Sequence, residues 1–297
     1  MSGIDVVRAH LAKVPPATTV AERRAQYDRA ERVFPTPPEI GVKTVAIKPE
    51  RGAEIVAEWL EPPAPRAGAA LLYLHGGGYV IGSRRSHRHL AAALGVAAGA
   101  ATLLPDYRLA PEHPFPAAVE DAVAAYRWLL ARGVAPAGIT IAGDSAGGGL
   151  TVATLLALRD RGQPLPAAGV CISPWVDLTC GGASYASKAA SDPIVTRAGV
   201  SDMARAYLGA TDARTPLASP AFADLAGLPP LLVQVGSEEV LLDDAVALAE
   251  RAKAAGVTAT LEVWPDMVHV WHWFHPILDE GRKAIGVVGD FVRARPG

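Results

Sequence analysis

Cysteine is scarce in this chain, with only Cys171 and Cys180 among 297 residues. A disulfide framework belongs to small secreted domains with several Cys pairs, so covalent staples are excluded as the organising principle. Cys171 sits in an apolar run and reads as a buried thiol. The chain also lacks any window of the ~20 apolar residues that a membrane span needs. Its first residues, Met1 to Lys13, carry no apolar stretch of the kind a secretory leader has. No membrane partner and a cytoplasmic location follow as expectations. An excess of one charge is missing too: 28 Lys and Arg stand against 30 Asp and Glu, for a net charge of −2. A nucleic-acid partner would need a clustered basic face. The short basic group Arg84, Arg85 and Arg88 reads as a solvated helix start instead.

Apolar residues, by contrast, make up half the chain, and a fifth is charged. That composition builds a sizeable core and excludes global disorder. Residues 3–33 read as helical, with Val6, Val7 and Leu11 on one face, until Pro35, Pro37 and Pro38 stop them. The runs Lys43–Ile47 and Glu54–Leu60, joined by a turn at Arg51-Gly52, form a hairpin signature. From residue 69 short apolar runs alternate with amphipathic stretches. The runs are Ala69–Leu74, Ala100–Leu104, Ile139–Ala142, Ala168–Ile172, Leu231–Val235 and Thr258–Val263. Runs this short and apolar on both faces suit a buried parallel sheet. Helical spacing recurs between them, at Phe115, Val119, Val123, Tyr126 and Leu130, and at Leu150, Ala153, Ala157 and Leu158. Val240–Ala255 and Ile277–Val292 give two more helices. The expectation is a single α/β domain, a mostly parallel eight-stranded sheet with helices on both faces. The stretch from about 177 to 220 breaks the alternation, with one helix near Val200–Leu208. An insertion above strand ends suits a lid.

Two glycine motifs carry the chemistry. Gly143-Asp144-Ser145-Ala146-Gly147 follows one strand and opens a helix, the setting of a nucleophile elbow. Its glycines allow strand and helix to approach closely, and the helix N-terminus favours negative charge developing at Ser145. Upstream, His75-Gly76-Gly77-Gly78 ends the run Ala69–Leu74. Three glycines after a strand let backbone N–H groups converge on one point, as a tetrahedral oxyanion requires. A phosphate cradle would need a Gly-Lys-Ser/Thr ending or a G-x-G-x-x-G helix start, and Tyr79-Val80-Ile81-Gly82 supplies neither.

A serine nucleophile needs a base, and the base needs an orienting acid. In this architecture the chain order is Ser, acid, His. His269, His272 and His275 follow Ser145. His269 comes directly after the last expected strand and is best placed, while His272 and His275 are expected to enter the terminal helix. The trio spaced by three is a weak metal signal without a carboxylate partner. The acid should follow Leu231–Val235, where Glu238, Glu239, Asp243 and Asp244 are candidates. Nearness to the strand favours Glu238 or Glu239.

His75-Gly-Gly-Gly, the segment Asp106-Tyr107-Arg108-Leu109-Ala110-Pro111-Glu112, and Gly143-Asp-Ser-Ala-Gly occur in an order and spacing that resembles the hormone-sensitive-lipase-like (bacterial family IV) esterases. The resemblance runs from about residue 69 onward. It implies an oxyanion hole of Gly77, Gly78 and Ala146. It implies the acid too: Glu239-Val240-Leu241-Leu242-Asp243 matches the spacing of the family's D-P-L-x-D, with Glu for Asp and Val for Pro. It further implies an enzyme without cofactor or metal, acting on small-molecule esters of short acyl chains. The cap would come from about 1–40 and 177–220, and a homodimer would form through the last strand and helix. The Asp106–Glu112 segment is expected to tie loops together near the site. Tyr79, Trp175, Tyr185, Met203 and Tyr207 are candidates for the substrate-pocket wall, although core packing within the cap would use the same residue types. A lactone hydrolase on the same machinery, and a non-catalytic receptor on the same fold, are the alternatives.

Overall fold

Residues 2–295 are described by the structure, a computed structural model. Met1, at the head of the expected 1–40 cap segment, and Pro296-Gly297 lie outside them. Ahead of the sheet come α1 (Gly3–Leu11), α2 (Val20–Asp28) and α3 (Ala30–Val33), where the sequence suggested one helical stretch. The breaks have local causes. Pro15 and Pro16 interrupt the chain, and α1 and α2 each open on a capping box, Ser2 with Asp5 and Thr19 with Glu22.

Eight strands follow: β1 (Gly41–Ile47), β2 (Ile55–Glu61), β3 (Ala70–Leu74), β4 (Ala101–Pro105), β5 (Ile139–Asp144), β6 (Ala168–Ile172), β7 (Leu231–Gly236) and β8 (Ala259–Trp264). They form one sheet in the order β1-β2-β4-β3-β5-β6-β7-β8. β1 pairs β2 and β2 pairs β4 antiparallel; every other pairing is parallel. The intervening helices are α4 (Arg84–Ala98), α5 (Ala117–Ala131), α6 (Ala146–Asp160), α7 (Ser184–Ser187), α8 (Arg197–Leu208), α9 (Leu242–Ala254) and α10 (Asp279–Arg293).

Side chains alternate across a strand, so a strand apolar at every position feeds two cores. In β3, Leu72 and Leu74 belong to the core shared with α5 and α6, while Leu71 and Tyr73 belong to the one shared with α4 and α10. All four are fully buried. Truncating one of the leucines to Ala would cost about 2–5 kcal/mol. No helix among the described residues is long and apolar enough to cross a membrane. Both cysteines are free and buried.

Two expectations are corrected. Arg84 and Arg88 are not a solvated helix start. One turn apart on α4, they straddle Glu58 of β2, which is only 3% exposed. Arg88 grips it with Nε–Oε2 and Nη2–Oε1 both at 2.6 Å, while Arg84 also pairs with Asp106. A buried carboxylate needs such partners to offset its desolvation. Arg85 turns the other way, to Asp28 and Glu31. His272 and His275 do not enter the terminal helix either. His272 lies in a 3-10 turn, Trp271–Phe274, His275 directly follows it, and α10 begins only at Asp279.

Candidate active site

The carboxyl ends of β3, β5, β7 and β8 meet at one place, and the sequence motifs sit on those ends. Ser145 follows β5 with φ 55° and ψ −121°, outside the ordinary regions for a side-chain-bearing residue. The turn that holds it there admits no Cβ on either flank. One on Gly147 would stand 1.9 Å from the Leu74 carbonyl oxygen, and one on Gly143 would stand 2.2 Å from that of Gly147. Ser145 N–H donates to the Ile172 carbonyl at 2.8 Å, and Trp175 N–H donates to the Ser145 carbonyl at 2.9 Å. The elbow is thus tied to the end of β6.

The glycine loop after β3 is anchored to the same elbow. Asp144, buried beside Ser145, accepts from Gly76 N–H at 3.0 Å and from the Tyr73 hydroxyl at 2.6 Å. Tyr107 stacks on His75 at 4.1 Å and donates to its carbonyl at 2.7 Å. His75 itself is fully buried, with Nδ1 2.8 Å from the Gly76 carbonyl oxygen. Desolvation, with His87 beside it, pushes this imidazole down to about 3, so it is a neutral structural group. Gly77 and Gly78 take φ of 113° and 61°. A Cβ on Gly77 would meet the Ile81 carbonyl oxygen at 2.2 Å, and one on Gly78 would meet Met203 Sδ at 2.1 Å. Among the described residues, the N–H groups of Gly77, Gly78 and Ala146 donate to no backbone acceptor of the surrounding loops.

The four candidate acids separate by direction. Glu239 is fully buried, and its Oε2 stands 2.9 Å from His269 Nδ1. Its Oε1 accepts from Gly236 N–H at 2.6 Å and from the Ser173 hydroxyl at 2.7 Å. Glu238 turns outward to Lys188 at 3.3 Å. Asp243 accepts from Ser184 N–H at 2.9 Å, and Asp244 accepts from Val176 and Asp177 N–H at 3.0 and 2.9 Å. Burial alone would lower His269. The hydrogen bond and charge of Glu239, helped by Asp192 and Asp144, outweigh it and hold the imidazole above its ordinary value. With Nδ1 committed to Glu239, Nε2 is the nitrogen left to exchange a proton. His272 instead places Nε2 2.8 Å from Gln234 Oε1, and desolvation pushes it down to about 3. No group of three or more His, Cys, Asp or Glu among the described residues is arranged to hold a metal ion.

Of the expected wall residues, Tyr79 and Tyr207 stack at 3.8 Å, 6° from parallel, with Trp175 tilted 6.1 Å from Tyr79. Met203 of α8 lies against Gly78. Tyr185 is buried in none of these stacks; it packs beside Gly182. The Asp106–Glu112 segment ties loops together as expected: Arg108 clamps Asp121, and Glu112 takes a two-pronged hold from Arg24 of α2 at 2.8 and 2.7 Å. The same guanidinium donates to the Val80 and Ala110 carbonyls. Sequence reasoning passed over Ser173, Asp144 and Arg24. Only Asp144 stood inside a motif; Ser173 was visible merely as the residue ending an apolar run.

Comparison with known proteins agrees with this fold. The family model described as alpha/beta hydrolase fold matches residues 71–273. An acetyl-hydrolase of Streptomyces hygroscopicus is 57% identical over 280 residues, which is 94% of this chain and 91% of that protein. The crystal structure of an esterase from the bacterial hormone-sensitive lipase family is 51% identical, with a TM-score of 0.95 over 99% of this chain and 98% of its own. EstE5, in a crystal soaked with p-nitrophenyl butyrate, is 49% identical with a TM-score of 0.93 over 98% of both chains. The chain therefore belongs to the α/β-hydrolase family and, within it, to the esterases of the bacterial hormone-sensitive lipase group.

Proposed function

We propose that this chain hydrolyses carboxylic esters of short to medium acyl groups through a Ser145–His269–Glu239 triad and a serine acyl-enzyme. The observation that carries the reading is the 2.9 Å pairing of buried Glu239 with His269 Nδ1, on strand ends that converge on the strained Ser145. In the first step Ser145 Oγ attacks the ester carbonyl while His269 Nε2 takes its proton. The negative oxygen of the tetrahedral intermediate accepts from Gly77, Gly78 and Ala146 N–H; removing one such donor typically costs about 3 kcal/mol of barrier. Collapse breaks the ester C–O bond, and His269 hands its proton to the departing alcohol. His269 then takes a proton from water, whose oxygen attacks the acyl-enzyme, and the acid leaves as Ser145 recovers its proton. Glu239 holds the imidazole tautomer and stabilises the imidazolium throughout.

The cap is assigned to segments 1–40 and 177–220. Met203 against Gly78, with Tyr79, Tyr207 and Trp175 behind it, is read as the wall that limits the acyl group. The names of the relatives, an acetyl-hydrolase and an esterase soaked with a butyrate ester, point to the same short range. The test is initial rates on 4-nitrophenyl esters from acetate to palmitate, with Ser145→Ala beside the native chain. Turnover should peak at short chains and fall by about 10⁴-fold or more in the variant. A folded protein without turnover on any chain length would overturn the reading and favour a narrow lactone hydrolase or a non-catalytic binder.

A further inference from the structure

We infer that Ser173 is a positioning residue for this reaction, one hydroxyl that holds both the triad carboxylate and the chain segment carrying the triad base. The inference rests on the Ser145–His269–Glu239 reading and deepens it.

The hydrogen bonds close into a ring. Val270 N–H donates to Ser173 Oγ at 3.1 Å. The hydroxyl therefore has an acceptor role already filled from one side, and its own proton is directed to Glu239 Oε1 at 2.7 Å. The other oxygen of that carboxylate, Oε2, meets His269 Nδ1 at 2.9 Å. His269 and Val270 are consecutive, so the ring returns to the residue where it began. Gly236 N–H adds a second donor to Oε1 at 2.6 Å. With Oε1 doubly held, Oε2 is the oxygen presented to the imidazole.

The backbone is bent to make this ring. Ser173 has φ 45° and Val270 φ 49°, both left-handed, and a β-branched valine adopts that region only under constraint. Ser173 N–H donates to the Gln234 carbonyl at 2.7 Å, which fixes the end of β6 to β7. Ser173 is fully buried, as is Glu239, and His269 is 5% exposed. No water competes for these bonds from bulk solvent, so a lost donor would not be replaced cheaply. The charged and titratable groups acting on His269 are Glu239 after β7, Asp192 from the 177–220 segment and Asp144 beside the nucleophile. Ser173 adds no charge to this set. Its contribution is direction: it stops the carboxylate from swinging and ties the loop that carries the imidazole to the same atom.

Such a residue does not touch the substrate, so its loss should appear in kcat and leave KM alone. Ser173→Ala and Ser173→Gly both remove the hydroxyl, and glycine also suits the left-handed backbone, so a folding defect in one is checked by the other. Both should lower kcat on a short 4-nitrophenyl ester by about 10- to 100-fold, the scale of a misplaced catalytic group, with KM changed less than about two-fold. Ser173→Cys, which is not β-branched and keeps a weaker donor and acceptor on the same stem, should recover part of the rate. The downfield proton NMR resonance of the His269 Nδ1–H should broaden or shift upfield in the Ala and Gly variants and be partly restored in Cys. Full kcat in Ser173→Gly, or a loss of rate carried by KM with that resonance unchanged, would overturn the inference. His269→Gln, run in parallel, separates the two claims. If it kills activity while Ser173→Gly is silent, only the positioning role fails; if His269→Gln stays active, the triad reading fails with it.

Discussion

Asp144 Oδ1 accepts the Gly76 N–H at 3.0 Å, joining the residue before the proposed nucleophile to the first glycine of the proposed oxyanion loop. The two motifs, 68 residues apart, are thus one unit. Asp144 also takes the Tyr73 hydroxyl and lies 3.4 Å from His87 Nε2. Although burial would raise it, these groups, His87 first, keep the carboxyl below its ordinary value.

Replacing Asp144 by Ala should therefore damage both structure and rate. Gly76 N–H and the Tyr73 hydroxyl would be left buried without an acceptor, at about 1–3 kcal/mol each. The expected outcome is a lower Tm together with a kcat loss of about 10-fold or more as the loop loses its register. Calorimetry and ester kinetics on one preparation check this. A lower Tm with native kcat would show that the loop does not depend on the anchor.

The pH profile follows from His269. In the proposed mechanism its imidazole must be neutral to accept a proton, and Glu239 holds it above the ordinary 6.5. The acid limb of kcat/KM should accordingly lie above pH 6.5, with activity lost as pH falls through it. Glu239→Gln removes the charge that opposes desolvation, so the limb should move to lower pH while kcat drops by about 10³- to 10⁴-fold. An unmoved limb would mean that another group sets it.

Acid should also weaken the fold. Desolvation pushes His75, His89 and His272 to about 3, so the unfolded chain binds protons that the folded one refuses. Their stabilisation is complete above pH 6.5 and is lost as pH falls from there toward 3. At pH 5 each neutral imidazole would cost up to about 2 kcal/mol. His275, pushed down to about 4 by burial, adds to them, while His269 and Asp244, both raised, work in the opposite direction. Urea midpoints at pH 7.5 and 5.0 should differ, with the lower value at pH 5.0. Equal midpoints would show that these histidines gain a charge partner in acid.

Met203→Ala tests the pocket wall. The side chain that meets Gly78 would shrink to a methyl, and each CH2 newly accommodated is worth about 0.8 kcal/mol. The ester series should shift its optimum toward longer chains by kcat/KM, with acetate little improved. An unchanged optimum would place the limiting wall elsewhere.

Much of this was legible in the chain itself. The strand runs, the elbow and the glycine loop carry local patterns, because each needs glycine or apolar residues at fixed positions. The choice between Glu238 and Glu239 is not local in the same way: both leave β7 on one loop, and only the direction of the side chain separates Lys188 from His269. The same limit hid the partners of Arg84 and Arg88, because Glu58 lies on a strand 26 and 30 residues earlier. Ser173 has no motif at all. Its role exists only where the ends of β6, β7 and β8 are side by side.

That strand order also sets a timetable. From β6 onward each new strand pairs with the one made just before it, so the sheet lengthens outward along one edge as the chain emerges. His269 is synthesised 124 residues after Ser145. At about 5–20 residues per second, the proposed nucleophile waits roughly 6 to 25 s for its proposed base. For most of that interval the exposed flank is β6, apolar on both faces, and then β7, apolar but for Gln234 and Gly236. The nascent chain is thus most prone to aggregate in the same window in which it is still chemically inert.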